Sequence, residues 1–451
     1  MSSVTLSRWT VAYFVVALSA FMLAQLLMAL GWGFPSEPFA APATLALVHI
    51  IALGWLSLVM CGALFQFVPV ITAHRLHSNS LPLPTLGCLV AGTISLVFGF
   101  LQLMNAVPQS LPGFATAAAL LGIGFGLVLW NLGRTLWAAR PLPLPARFIV
   151  AGLASLLAVA ALGITFALTF AGVFSSAFAL RLLSSGLAIH VIAGLGGWLT
   201  FTAMGVSYRL LGMFMLAPEQ DRSSTRRVLL LGSGALAAAI LGGIAAIALG
   251  AGIGPVLLLA AALALAALVH YGRDMQHLYR TRKRRVIELN SKMAALALLS
   301  LLAAIVWLAV ALVRGRLASQ VPGIAYLIAF GWLSGLALAK LYKIVPFMTW
   351  LECYGPVLGK TATPRVQDLV VEHKAIKWFV LYFAAVWLGA AALIIELTPM
   401  FRLSALLMLV ATAGIAAHLL RARRLLDVAP ARRLPDGAHK PGMLHSFSHD
   451  H

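Results

Sequence analysis

The chain has 451 residues, of which 62% are hydrophobic and only 10% are charged, and its mean hydropathy is +0.98. A water-soluble fold of this length could not bury so much apolar surface, so a soluble globular protein is excluded and lipid is the expected solvent. The formal net charge of +20 would suggest nucleic acid in a soluble protein, but no nucleic-acid motif accompanies it here, and no such partner is expected.

Apolar stretches of membrane-spanning length follow one another along the chain. A bilayer core needs roughly 20 apolar residues per helix. The stretches lie near residues 11–31, 45–68, 83–104, 115–133, 148–171, 186–207, 228–249, 254–271, 293–313, 323–344, 376–396 and 403–420. The sequence therefore predicts an all-α, multi-pass membrane protein of about twelve transmembrane helices. Residues 1–430 form its single transmembrane domain, and residues 431–451 form a polar, His-containing cytoplasmic tail.

Positive charge is divided unevenly between the loops. Counting through the spans leaves only four of the 32 cations on one side: Arg181, Arg314, Arg316 and Arg402. Cytoplasmic loops carry an excess of Lys and Arg, so the basic side is the inner one. Both termini are therefore predicted to be cytoplasmic, and the chain is expected in the inner (cytoplasmic) membrane. The basic loops are interpreted as topology signals that also contact anionic lipid heads.

One sequence frame recurs in three of the predicted spans. The second span reads GWLSLVMCGALFQFVPVIT from Gly54, and the tenth reads GWLSGLALAKLYKIVPFMT from Gly331. The sixth span, GWLTFTAMGVSYRLLGMF from Gly197, follows the frame more loosely. Such self-similarity at a fixed spacing indicates an internal repeat. The sequence predicts three pseudo-symmetric repeats of four helices, at about residues 1–143, 144–290 and 291–430.

A second frame lies at the inner ends of the fourth, eighth and twelfth spans. It reads Asn131-Leu-Gly-Arg134, His270-Tyr-Gly-Arg273 and His418-Leu-Leu-Arg421. Because His270 and His418 occupy this repeated boundary position, they are interpreted as structural interface residues and not as metal ligands.

Twelve helices in three groups of four, with both termini inside, is an architecture that resembles the catalytic subunit (subunit I) of haem-copper oxidases and nitric oxide reductases. The segment from His49 to Pro69 is similar to the family's second helix, in which a histidine ligates the low-spin haem. The sixth span, which begins His190-VIAGLGGW, resembles the helix that supplies a copper-binding histidine. The tenth span, YLIAFGWLSGLALAKLYKIVP from Tyr326, resembles the helix with the two haem-ligand histidines.

The departures from the family pattern concern its binuclear centre. Ile324 and Tyr326 stand where the tenth helix carries its two histidines, and the seventh span, RRVLLLGSGALAAAIL, has no histidine pair for copper. The resemblance therefore implies a divergent member that lacks most binuclear-centre ligands. Copper is not expected. Whether the chain is an enzyme is left open; if it is, it is oxidoreductase-like without a normal haem-copper centre.

Ionisable groups within the membrane are functional candidates because they are costly there. The sequence predicts no Asp or Glu in mid-membrane, so proton pumping is not expected. His49 is the candidate ligand for a b-type haem, since neutral imidazole ligates haem iron; the alternative is an interfacial histidine hydrogen-bonded to a neighbouring helix. Tyr326, its counterpart in the repeat, is either a phenol facing His49 across the haem or an interface anchor.

The remaining metal candidates are weaker. In addition to His49, His190 is a candidate metal ligand, but it lacks partner nitrogen ligands. The methionines of its span are interpreted as packing residues. Four histidines crowd the tail, at His439, His445, His449 and His451. A tail without fixed geometry would give weak, unselective metal sites.

The sequence thus predicts a haem-copper-oxidase-like membrane protein with a candidate site for one haem b. It would act in electron transfer, gas sensing or support of respiration, and not as a complete proton-pumping oxidase. Expected partners are the lipid bilayer, respiratory-chain proteins or a small redox carrier. The alternatives are a transporter or permease for a small solute or metal, and an oxidase assembly factor.

Overall fold

The computed structural model describes residues 7–218 and 222–446, which are helical apart from loops and one isolated bridge between Leu358 and Thr361. Twelve helices of this described part are long and apolar enough to cross a membrane. They are α1 (Thr10–Leu30), α2 (Pro42–Thr72), α3 (Pro82–Leu103), α4 (Gly113–Ala138), α5 (Leu144–Phe170), α6 (Leu187–Met215), α7 (Ser223–Ala248), α8 (Gly254–Arg280), α9 (Leu289–Val313), α10 (Leu317–Val357), α11 (Glu372–Ile394) and α12 (Thr398–Arg423). The prediction of an all-α, multi-pass membrane protein with about twelve helices is confirmed.

The helix boundaries follow from local residue chemistry. Five of the twelve helices, α2, α3, α5, α8 and α12, have proline in the first turn, where its missing N–H would be unpaired in any case. The helix α1 ends at Gly31, which adopts φ +84° and donates its N–H to the last turn. A side chain at that φ would be strained, so glycine stops the helix there.

Three of the helices widen into π-helix at the position of the repeated Gly-Trp frame. The π segments are Ile50–Ser57 in α2, Ile192–Phe201 in α6 and Leu327–Ser334 in α10. The segments of α2 and α10 cover identical positions relative to their glycines. The frame's three tryptophans, Trp55, Trp198 and Trp332, are all fully buried. The repeat predicted from sequence thus has a local structural counterpart in the three helices.

The chain divides into two compact units, residues 1–63 with 288–451, and residues 64–287. In the first unit, α1 packs on α12 and on the π-helical part of α2, and α11 packs on α12. In the second, the closest helix pairs are α3 with α4, α7 with α8, and α5 with α6.

The start of the predicted tail is docked on the first unit. Arg423, at the end of α12, forms a buried ion pair of 2.6 Å with Glu352 of α10. Its guanidinium also donates to the carbonyl of Gly442 at 2.7 Å, while the Gly442 N–H donates to Glu352 at 3.1 Å. Further along, the Ser446 N–H donates to the Arg8 carbonyl at 2.8 Å. The segment therefore has fixed geometry up to residue 446; His449 and His451 lie outside the described residues.

Candidate functional site

His49 is the last α-helical residue before the π-helix of α2. The Nδ1 atom of its half-buried ring lies 2.7 Å from the carbonyl oxygen of Leu45, one turn earlier. A carbonyl oxygen only accepts, so Nδ1 is the donor in this contact, and in the neutral imidazole the lone pair is then on Nε2. Imidazoles that ligate metals are held in this way, by a hydrogen bond from the other ring nitrogen to a carbonyl or carboxylate. His49 therefore fits the chemistry of one axial haem ligand.

Tyr326 lies in the first unit with its hydroxyl engaged by other helices. The hydroxyl donates to the carbonyl of Val386 in α11 at 3.3 Å and lies 3.7 Å from Sδ of Met408 in α12. A Cβ atom added at Gly389 would collide with the phenol oxygen, so the glycine leaves the space that this oxygen occupies. The phenol is thus directed toward α11 and α12. A role for it opposite His49 remains a prediction.

Direct contacts join α2 and α10 at the level of their Gly-Trp frames. The indole N–H of Trp55 donates to Oγ of Ser334 at 2.8 Å. The ring of Phe21 in α1 stacks on Trp55 at 4.6 Å and on Phe330 at 5.8 Å, and the hydroxyl of Tyr382 donates to the Phe330 carbonyl at 2.8 Å. This layer is filled by protein, so a porphyrin held by His49 would have to lie away from it.

His190 belongs to the second unit and packs against α5. Its ring centroid lies 5.4 Å from that of Phe166, in a tilted arrangement. A Cβ atom added at Gly163 would come within 3.2 Å of the imidazole, so glycine allows the close approach. Within the described residues, no three His, Cys, Asp or Glu side chains come together as a possible metal site.

A buried carboxylate in the second unit was missed by sequence reasoning. Asp274 of α8 is 1% exposed and accepts hydrogen bonds from Tyr208 of α6 at 2.9 Å, and from Ser224 and Thr225 of α7 at 2.5 and 3.1 Å. Among the described side chains, no Lys, Arg or His lies within ion-pair distance of it. A buried charge is costly unless it is well bonded, and here three hydroxyls provide the bonds.

The repeated frame at the inner ends of α4 and α8 could have pointed to Asp274. In that frame Asp274 directly follows Arg273, and Thr135 follows Arg134 at the corresponding position of α4. Thr135 Oγ1 accepts the backbone N–H of His77 at 2.9 Å, and Asn131, one turn earlier, pairs with the backbone of Ser78. Thr135 therefore tethers the segment just before α3, and Asp274 tethers the start of α7. These are the third helices of the first and second repeats. The first repeat does so with a neutral hydroxyl, and the second uses a carboxylate.

A second missed group is Lys340 of α10. It is 7% exposed, one turn away from Lys343, which pairs with Glu288 at 2.7 Å. In the sequence, a lysine among the apolar residues of α10 is not distinguished from one that reaches the membrane surface. Lysine near a helix end usually extends to the interface, whereas this one is enclosed by protein.

Comparison with known proteins bears on the fold. No protein-family profile matches the chain, and no curated protein sequence matches it. Among solved structures, a haem-copper terminal oxidase, determined as a dimer by cryo-electron microscopy, matches with a TM-score of 0.63 over 98% of this chain and 86% of its own. The fold is similar to that of a haem-copper oxidase. Sequence identity over the match is 12%, so the likeness shows the fold and leaves the ligand set untested. The predicted resemblance is confirmed at that level.

Proposed function

We propose that the protein binds one b-type haem through His49 and acts in electron transfer or gas sensing at the inner membrane. The observation that supports this is the Nδ1 contact of His49 with the Leu45 carbonyl, which is compatible with the tautomer that a haem ligand needs. The oxidase-like fold supplies the context. When bound, haem would supply reversible one-electron chemistry and a coordination position for a diatomic gas.

In this proposal His49 is the protein's only axial ligand. Tyr326 is assigned to helix packing, because its hydroxyl is engaged by Val386 and lies against Gly389. With His49 as the one residue that would hold the haem, the reduced protein is expected to bind carbon monoxide. Reduction of oxygen or nitric oxide at oxidase rates is not proposed, since the sequence lacks the histidines of a copper site.

The test is a reduced-minus-oxidised visible spectrum of the detergent-purified protein, expressed with ample haem supply. The wild type should show a b-type spectrum that shifts with carbon monoxide. His49→Ala should lose the haem and regain part of it with added imidazole. Tyr326→Phe and His270→Ala, the second being a half-buried histidine of another helix, should keep it. A haem-free wild type, or an unchanged spectrum in His49→Ala, would refute the proposal.

A second candidate function, a cation-coupled permease, is favoured by Asp274. The tether made by Thr135 shows that this position needs no charge, yet Asp274 is a carboxylate with 1% exposure and no ion-pair partner in the described residues. Carboxylates enclosed in membrane proteins often mark the pathway of an ion or substrate. In proteoliposomes, Asp274→Thr should then abolish the proton or sodium flux of the wild type, while the variant stays folded at the assay temperature. An absence of either flux in the wild type would exclude this candidate.

A further inference from the structure

The inner half of α4 presents one continuous face that is largely open in the described part of the chain. Gly126, Trp130, Gly133 and Trp137 follow one another at spacings of four, three and four residues, which places them on the same side of a helix. Trp130 is 57% exposed and Trp137 is 63% exposed. Two large aromatic side chains on one outward face indicate a surface that contacts something other than this chain.

This face is the wall of an open groove between α4 and α5. The groove has a volume of about 480 Å³, and α5 contributes apolar side chains that include Val150, Ala154 and Leu157. A Cβ atom added at Gly126 or Gly133 would meet nothing within 4 Å, so the two glycines hollow the wall. From Gly126 to Trp137 the face is about 16 Å long at 1.5 Å per residue, close to half of a bilayer core of about 30 Å.

The groove ends at Arg140, and a second arginine lies over a tryptophan of its wall. Arg140 lines the groove and lies 3.7 Å over the ring of Trp137, and Arg134 lies 5.5 Å over the ring of Trp130. Both side chains are exposed. The sequence has no Asp or Glu from residue 38 to residue 218, so this stretch of chain contains no carboxylate to neutralise them. The surface is therefore complementary to an anion located at the membrane boundary.

We infer that this groove binds one anionic phospholipid of the surrounding bilayer. An acyl chain lies along the glycine face between the tryptophans and α5, and the headgroup phosphate is held by Arg134 and Arg140. Basic pockets between transmembrane helices on the inner side recognise anionic headgroups in this way. Interfacial anchoring alone would account for exposed Trp and Arg, but it does not account for two glycines that open the space beneath them.

The occupant can be identified by reconstitution with a defined lipid mixture. The purified protein is equilibrated in mixed micelles containing equal amounts of phosphatidylglycerol and phosphatidylcholine, and retained lipid is counted by native mass spectrometry. The wild type should retain one phosphatidylglycerol in preference to phosphatidylcholine. Arg140→Gln should weaken this retention about fivefold, and the double variant Arg134→Gln/Arg140→Gln roughly 25-fold, since each basic group near the membrane contributes a factor of that size.

The apolar half of the site is tested by filling it. Gly126→Leu/Gly133→Leu should displace the lipid without loss of thermal stability, because the added side chains enter open space. Two matched controls should behave as wild type: Gly272→Leu, an exposed helical glycine of α8, and Arg424→Gln, an exposed arginine after α12. Equal retention of both lipids by the wild type would overturn the inference. So would wild-type retention in the filled variant, or an equal loss in Arg424→Gln.

Discussion

The indole of Trp55 in α2 donates its N–H to the hydroxyl of Ser334 in α10 at 2.8 Å. Both residues come from the same Gly-Trp-Leu-Ser frame, one from the second span and one from the tenth. The tryptophan of one copy therefore bonds the serine of another. Ser334 also donates to the carbonyl of Ala329 at 2.7 Å. The hydroxyl of Ser334 therefore links Trp55 to the π-helical segment of α10.

Ser334→Ala should destabilise the protein by about 1–3 kcal/mol, because it leaves the buried Trp55 N–H without its acceptor. Thermal unfolding in detergent, followed by near-UV circular dichroism, measures the change. Ser95→Ala serves as the control, since Ser95 is exposed and bonds only within its own helix. An equal and small effect of both substitutions would show that this interhelical bond contributes little.

Gly389→Ala should destabilise the protein because the added methyl group collides with the phenol oxygen of Tyr326 and comes within 2.7 Å of Ser404 Oγ. Overpacking of this kind costs about 1–3 kcal/mol. Tyr326→Phe removes the colliding oxygen, so the double variant should recover part of the lost stability. The recovery is measured as a coupling energy in a double-mutant cycle. Strict additivity of the two substitutions would contradict the orientation assigned to Tyr326.

Glu352→Gln should release the C-terminal segment. The substitution leaves the buried guanidinium of Arg423 without its counter-charge, and breaking a buried pair from one side costs about 3–5 kcal/mol. Trypsin should then cleave faster after Arg432 and Arg433. Arg365→Gln is the control, since its pair with Asp368 lies at the surface and should matter little. Unchanged cleavage in Glu352→Gln would indicate that other contacts hold the segment.

Asp274→Ala should destabilise the second unit more than Asp274→Thr does. Alanine leaves three hydroxyls without an acceptor, at about 1–3 kcal/mol for each group that stays unsatisfied. Threonine instead reproduces the tether found at Thr135. Hydrogen exchange at the start of α7 measures the local effect. Similar exchange in both variants would show that the threonine does not restore the tether.

The features of the fold that depend on residue type and spacing could be predicted from the sequence, and the others could not. The apolar spans and the Gly-Trp frame depend on residue type and spacing, so the twelve helices and the equivalence of Trp55 with Trp332 could be recognised. The π segments could not, because hydropathy does not distinguish one hydrogen-bonded turn from another. The orientation of Tyr326 could not be predicted either, since it depends on the space left by Gly389, 63 positions later in the chain.

The buried charges were missed for a related physical reason. Asp274 and Glu352 lie close to helix ends, where a charged residue ordinarily reaches water or lipid headgroups. Their burial depends on partners from other helices, Tyr208 for the first and Arg423 for the second. A one-dimensional pattern does not show those pairings. The docked segment around Gly442 was treated as a free tail for the same reason.

The π segments of α2 and α10 also bear on the history of the chain. A π turn holds more residues than an α turn, so each segment records a local surplus in its helix. In both helices the surplus falls at the same distance from the glycine of the frame, and in α6 it overlaps that position. If the three four-helix units descend from one ancestor, a single insertion before the first duplication accounts for all three. On that descent the widened turn would be older than the twelve-helix protein, whereas the π segment of α7, Ala238–Gly242, lies outside the frame and would be a separate event.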